Sequence, residues 1–138
     1  MEKIIGKTKK VGFQFGLRKT FSIPLENIHE FLLSEKGLNI WLGELQSKLI
    51  INEKFVTKEG IEGMVRVLKP FSHIRLNWKK KKWNNMSTLQ VRLIRKTEKT
   101  TISFHVEKLL DSQQRDEMKK HLNEVMQKLT DEITKIYP

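Results

Sequence analysis

The chain has 138 residues, 38% hydrophobic and 31% charged, with no cysteine and a formal net charge of +11. That length suits a single domain over residues 1–138, large enough to bury a core without staples. The lack of cysteine excludes disulfides, thiol nucleophiles and thiolate metal sites. No apolar run approaches the roughly 18 residues of a bilayer span and no apolar leader precedes the first strand pattern, so a cytoplasmic protein is expected.

From Phe13 to Ile23 apolar side chains (Phe13, Phe15, Leu17, Phe21, Ile23) alternate with Gln14, Gly16, Arg18, Thr20 and Ser22, which predicts a half-buried strand. Lys19 falls on the apolar face, so a bulge or the end of the core is expected there. Pro24 suits the first turn of a helix; Leu25, Ile28, Phe31 and Leu32 recur at helical spacing, and Gly37 offers a stop. A second short apolar piece runs from Leu38 to Leu42. Lys48–Val56 is rich in strand formers but has no clear phase.

Four inward rows follow. They are Ile61, Gly63, Val65 and Val67; then Ile74, Leu76 and Trp78; then Leu89, Val91 and Leu93; and last Ile102, Phe104 and Val106. Asn84-Asn85 and Lys96–Lys99 mark short turns, which favour an antiparallel meander. Asp111 and Gln114 read as a helix-start capping pair. Beyond them Met118, Leu122, Val125, Leu129, Ile133 and Ile136 draw one apolar stripe on a helix of about two dozen residues.

Strand, helix pair, antiparallel sheet and long terminal helix, in that order, resemble the helix-grip fold of the START-like (SRPBCC) superfamily. FSIPLENIHEFLLSEKGLNIWLGE resembles its first strand end and helix pair. MSTLQVRLIRKTEKTTISFHVEKLLDSQQRDEMKKHLNEVMQKL resembles the subgroup named for the activator of the ninety-kilodalton heat-shock protein ATPase. The recurring positions of that subgroup fall on Thr100, Phe104, His105, Arg115 and Met118. The resemblance covers essentially the whole chain. It implies an α+β fold, with a curved antiparallel sheet wrapped around the C-terminal helix and two short helices after the first strand. It carries no catalytic signature.

An arrangement of this kind can enclose an apolar cavity. Its expected lining is Phe13, Phe15, Trp41, Val65, Ile74, Leu76, Trp78, Leu89, Val91, Leu93, Ile102 and Phe104, facing Leu122, Val125, Met126 and Leu129 on the helix. Filled with side chains, the same rows are simply a core. The function expected first is non-enzymatic binding of a small apolar ligand (a lipid, fatty acid or polyketide-like molecule), with the helix pair near Trp41 at the entrance. The alternative is a co-chaperone-like interaction module that engages an acidic protein partner. An enzyme of the aromatase/cyclase kind would need an inward catalytic set, and the nearest polar candidates, Lys19 and Asn77, do not form one.

Charge adds a second surface. Residues 69–100 hold ten Lys/Arg and one acid, Glu98, and Lys79, Lys80, Lys81, Lys82, Arg92 and Arg95 are its basic candidates. Such a field predicts weak, salt-sensitive contact with polyanions or anionic membranes. Trp78 and Trp83 flank the four lysines, a pattern that also suits single-stranded nucleic acid. Without an RNP, KH or zinc-finger pattern, a solvated hairpin end is the simpler reading, with Trp78 inward and Trp83 outside; no sequence-specific nucleic acid is expected. The four histidines show no metal-binding spacing, so no metal or cofactor is expected either, and a monomer is.

Overall fold

In the computed structural model, which describes residues 7–8 and 12–138, seven strands form one antiparallel sheet that curves against a long helix. The elements run β1 (Lys7–Thr8), β2 (Gly12–Phe21), α1 (Leu25–Leu33), α2 (Glu35–Trp41), β3 (Lys54–Val56), β4 (Glu62–Lys69), β5 (His73–Lys79), β6 (Ser87–Lys96), β7 (Lys99–Leu109) and α3 (Ser112–Ile136). Strand order is β1-β2-β7-β6-β5-β4-β3. The last five strands are therefore a meander, and β2 returns to pair with β7. This is the α+β helix-grip architecture.

Period 2 in the strands and the 3–4 spacing in α3 place their apolar faces opposite each other. Leu76, Leu89, Ile102, Phe104 and Val106 pack in one cluster with Met118, Leu122, Val125, Leu129 and Ile133. Asp111 starts α3 by accepting from the Gln114 amide at 2.8 Å, and the Gln114 side-chain oxygen accepts from Leu110 N–H at 2.9 Å. One first-turn donor, the Gln114 N–H, and the N–H of the residue before the cap are satisfied in this way.

Several sequence expectations shift in detail. Gly37 does not end the first helix. Ser34 breaks it and caps the second, its hydroxyl accepting from Gly37 N–H at 3.1 Å. Glycine is needed at 37 because a Cβ there would strike the Phe31 carbonyl. Of Lys48–Val56 only the last three residues pair as a strand, since Asn52, at φ 66°, turns the chain first. Of the two alternatives at Lys19, a bulge or the end of the core, the bulge does not fall there: β2 slips against β7 between Phe13 and Phe15, with Lys108 of β7 at φ 62°. Lys19 itself is exposed.

A second slip, between Val65 and Val67 of β4, changes the inward row. One extra residue reverses the alternation. Val67 therefore faces solvent at 41% exposure, and Leu68 packs against the core.

Candidate functional site

The sixteen interior candidates lie in or against one core cluster. All are buried except Phe15 and Leu93, which are half-buried. Trp41, Val65, Leu76, Trp78, Leu89, Val91, Ile102, Phe104, Leu122 and Leu129 are at most 1% exposed. A pocket of about 20 Å³ lies under α1, where Ile74, Val91 and Leu93 meet Leu32, Leu33 and Leu68. That is room for about one water. The interior rows in this structure fill their space with their own side chains.

A larger opening lies next to them. A groove of about 630 Å³ runs between the end of α2 (Asn39, Ile40, Leu42, Gly43), the β3–β4 turn (Glu59, Ile61), the β5–β6 loop (Lys80–Trp83) and α3 (Glu117, His121, Lys128). None of the sixteen interior candidates lines it. Of the basic candidates, Lys80, Lys81 and Lys82 do.

The β5–β6 loop forms the inner wall because it is strapped to α3. Trp83 Nε1 donates to Glu117 at 3.0 Å. The Asn85 and Gln114 amides exchange two hydrogen bonds of 2.9 and 2.8 Å. Lys79 donates to the Trp83 carbonyl at 2.8 Å and pairs with Glu62 at 3.1 Å. The expectation for Trp83 is thus corrected: it is 7% exposed and meets Trp78 edge to face, with centroids 5.5 Å apart. Strand alternation ceases at Lys79, where the chain leaves the sheet, so phase says nothing about Trp83. A large aromatic inside a lysine run was the signal that could have placed it, because burial of the indole offsets the ordering of the loop.

Trp78 is fully buried, as its alternation predicted, but its Nε1–H has no acceptor among the described residues. Its ring lies 5.3 Å from that of His121. His121 lines the groove, and no hydrogen bond to its imidazole is present among the described residues. Burial, with smaller contributions from Lys80 and Lys128, lowers its pKa to about 4 against the opposing pull of Glu124. The imidazole is therefore neutral at pH 7. Trp83 and His121 both line the groove, and the Trp78 ring packs against both.

The rim is cationic. Glu117 is engaged by Trp83 and by Lys80 at 4.0 Å, and Glu59 accepts from the Glu44 amide at 3.0 Å. Lys81, Lys82 and Lys128 have no carboxylate within 4.0 Å among the described residues. Arg92 lies away from the groove, on the outer sheet face, in register with Ser103 and His73; Arg95 pairs with Glu26 near α1. His105 also faces outward and bonds Gln14 at 3.0 Å. Among the described residues no three His, Asp or Glu side chains come together as a metal-binding group. No described helix is long and apolar enough to cross a membrane.

A sheet wrapped around one long C-terminal helix, with a helix pair inserted after the first long strand, defines an α+β helix-grip domain. Residues 23–134 match the family described as Activator of Hsp90 ATPase homolog 1-like protein, and the chain belongs to that family. Solved structures share the fold at low identity. DynU16, a putative protein in the dynemicin biosynthetic locus, superposes with a TM-score of 0.77 at 12% identity, covering 88% of this chain and 47% of that one. This chain thus spans about half of the DynU16 chain. An HSP90 activator from Plasmodium falciparum gives 0.60 at 22% identity, covering 71% and 74%. The Aha1 dimer from Colwellia psychrerythraea gives 0.69 at 13%, covering 86% and 93%. No curated protein is recognisably similar in sequence.

Proposed function

We propose that this chain is a ligand-binding module that takes a small, largely apolar molecule into the groove between α2, the β5–β6 loop and α3. The observation that carries the reading is a groove of about 630 Å³ lined by Trp83 and His121, whose rings pack on the fully buried Trp78, an indole whose N–H has no acceptor among the described residues. An orphaned buried donor costs about 1–3 kcal/mol, and an acceptor arriving through the groove would relieve that cost. Ile40, Leu42, Ile61 and Trp83 supply apolar surface. At about 0.8 kcal/mol per buried CH₂, a chain of eight to ten carbons would reach micromolar affinity. The Asn85–Gln114 and Trp83–Glu117 contacts act as the closure of this entrance, and releasing them would extend the groove toward Trp78 and Leu122. The fold shared with DynU16, a putative protein in the dynemicin biosynthetic locus, is in keeping with this reading.

A native mass spectrum of the freshly purified protein tests it. A co-purified small molecule, or uptake of a neutral probe such as N-phenyl-1-naphthylamine at micromolar concentration, is the expected result. A clean apo mass together with no uptake at any soluble probe concentration would overturn it.

A second reading is a surface for an acidic protein partner, in the manner of a co-chaperone. It is supported by the outer sheet face, where Arg18 and Arg92 flank Ser103 on adjacent strands, and by the fold shared with an HSP90 activator. Charge reversal at Arg92 would weaken capture of such a partner and leave probe uptake in the groove unchanged.

A further inference from the structure

We propose that the groove selects an amphipathic anion, with the apolar body on Leu42, Ile61 and Trp83 and a carboxylate held among Lys81, Lys82 and Lys128. This names the ligand class of the site proposed above and rests on that reading.

Unmatched positive charge lies beside apolar surface in this groove. Four lysines and two glutamates line the groove. Glu117 is already engaged by Trp83 and Lys80, and Glu59 is engaged by a backbone amide. Three ammonium groups are left without a carboxylate partner among the described residues, and all three open onto the same cavity. His121 adds no charge at pH 7 because its imidazole is neutral there. Lys81 is also pre-positioned: its stem lies across Gly60, at φ 92°, where any Cβ would come within 3.0–3.3 Å of that stem. A stem held against the β3–β4 turn loses less freedom when a ligand arrives. A compact ammonium suits a carboxylate as a point charge. The low-dielectric floor strengthens that attraction relative to open water.

Decanoate, decanol and decyltrimethylammonium share one chain length and differ in head charge, so together they separate the two claims. Each is titrated into the full-length protein while tryptophan emission is followed, at low salt and at 1 M salt. Decanoate should bind about tenfold more tightly than decanol at low salt, with the cation weakest. The preference should shrink at 1 M salt, where screening shortens to about 3 Å. It should also collapse in Lys81→Gln/Lys82→Gln/Lys128→Gln while decanol binding is unchanged. Lys82→Glu alone should reduce the preference too, which keeps the test available if the triple variant folds poorly. Equal binding of decanoate and decanol in the unaltered protein would overturn the anion inference and leave ligand binding standing. A decanoate preference that survives the triple substitution would likewise overturn it. If none of the three probes binds, both readings fall.

Discussion

His121 and Trp83 show how single side chains give this groove its character. Folded His121 has a pKa of about 4 against an ordinary 6.5, because burial disfavours the imidazolium. Lys80 and Lys128 push the same way, Glu124 opposes them, and Glu117 lies one turn earlier on the same helix. The unfolded chain therefore binds one more proton than the folded one between pH 6.5 and 4. Stability falls as pH drops through that window, by up to about 3 kcal/mol from this residue, and the loss levels off below pH 4. Urea unfolding at pH 7 and pH 4.5 should show a smaller difference in His121→Gln than in the unaltered protein. Identical pH dependence in both would contradict the burial of this imidazole. His29 and His73, both lowered by burial, remain in the variant as a common background. For Trp83, substitution by Phe removes the bond to Glu117 and part of the contact with Trp78. We expect a loss of about 1–3 kcal/mol by chemical denaturation, whereas a solvated indole would lose almost nothing.

Among the elements, α3 was the most legible, because its stripe and capping pair agree and 3.6-residue periodicity over seven turns has few other readings. Leu122→Ala and Leu129→Ala should each cost about 2–5 kcal/mol and exposed Lys119→Ala little. Equal midpoints for the three variants would mean the helix is undocked. The strands of the meander were legible for the same reason, but their slips were not. A bulge depends on one extra residue opposite a partner strand, and that is a property of two segments together. Val67 and Leu68 exchange roles on this account, although Val67 continues the pattern of Ile61, Gly63 and Val65. Gly63 looked like an ordinary member of that row. It is there because a Cβ would collide with the Asn77 carbonyl while Phe55 lies over it from β3. Gly63→Ala should therefore destabilise by about 1–3 kcal/mol, toward the upper end, as overpacking does. A neutral result in thermal melts would contradict the close β4–β5 approach.

For the molecule as a whole, the inward rows were readable from alternation, but the groove was not. Its walls come from four segments far apart in sequence, and each contributes residues that look like ordinary turn or surface positions. Charge was readable in amount and not in arrangement: the lysine run divides between Lys79 and Lys80, which pair with Glu62 and Glu117, and Lys81 and Lys82, which do not. Weak heparin binding that 1 M salt abolishes is expected from that surface, and tight binding that persists in salt would contradict it. The central claim is that an apolar ligand enters between α2, the β5–β6 loop and α3. A two-dimensional amide NMR titration with decanoate tests it most directly, because three tryptophans give three indole N–H signals. Shifts should be confined to residues near 39–43, 59–61, 80–83 and 117–128, with the Trp83 and Trp78 indole signals moving and that of Trp41, bonded to the Leu32 carbonyl, staying still. Shifts confined to the outer face around Arg18, Arg92 and His105, or no shifts at all, would contradict it.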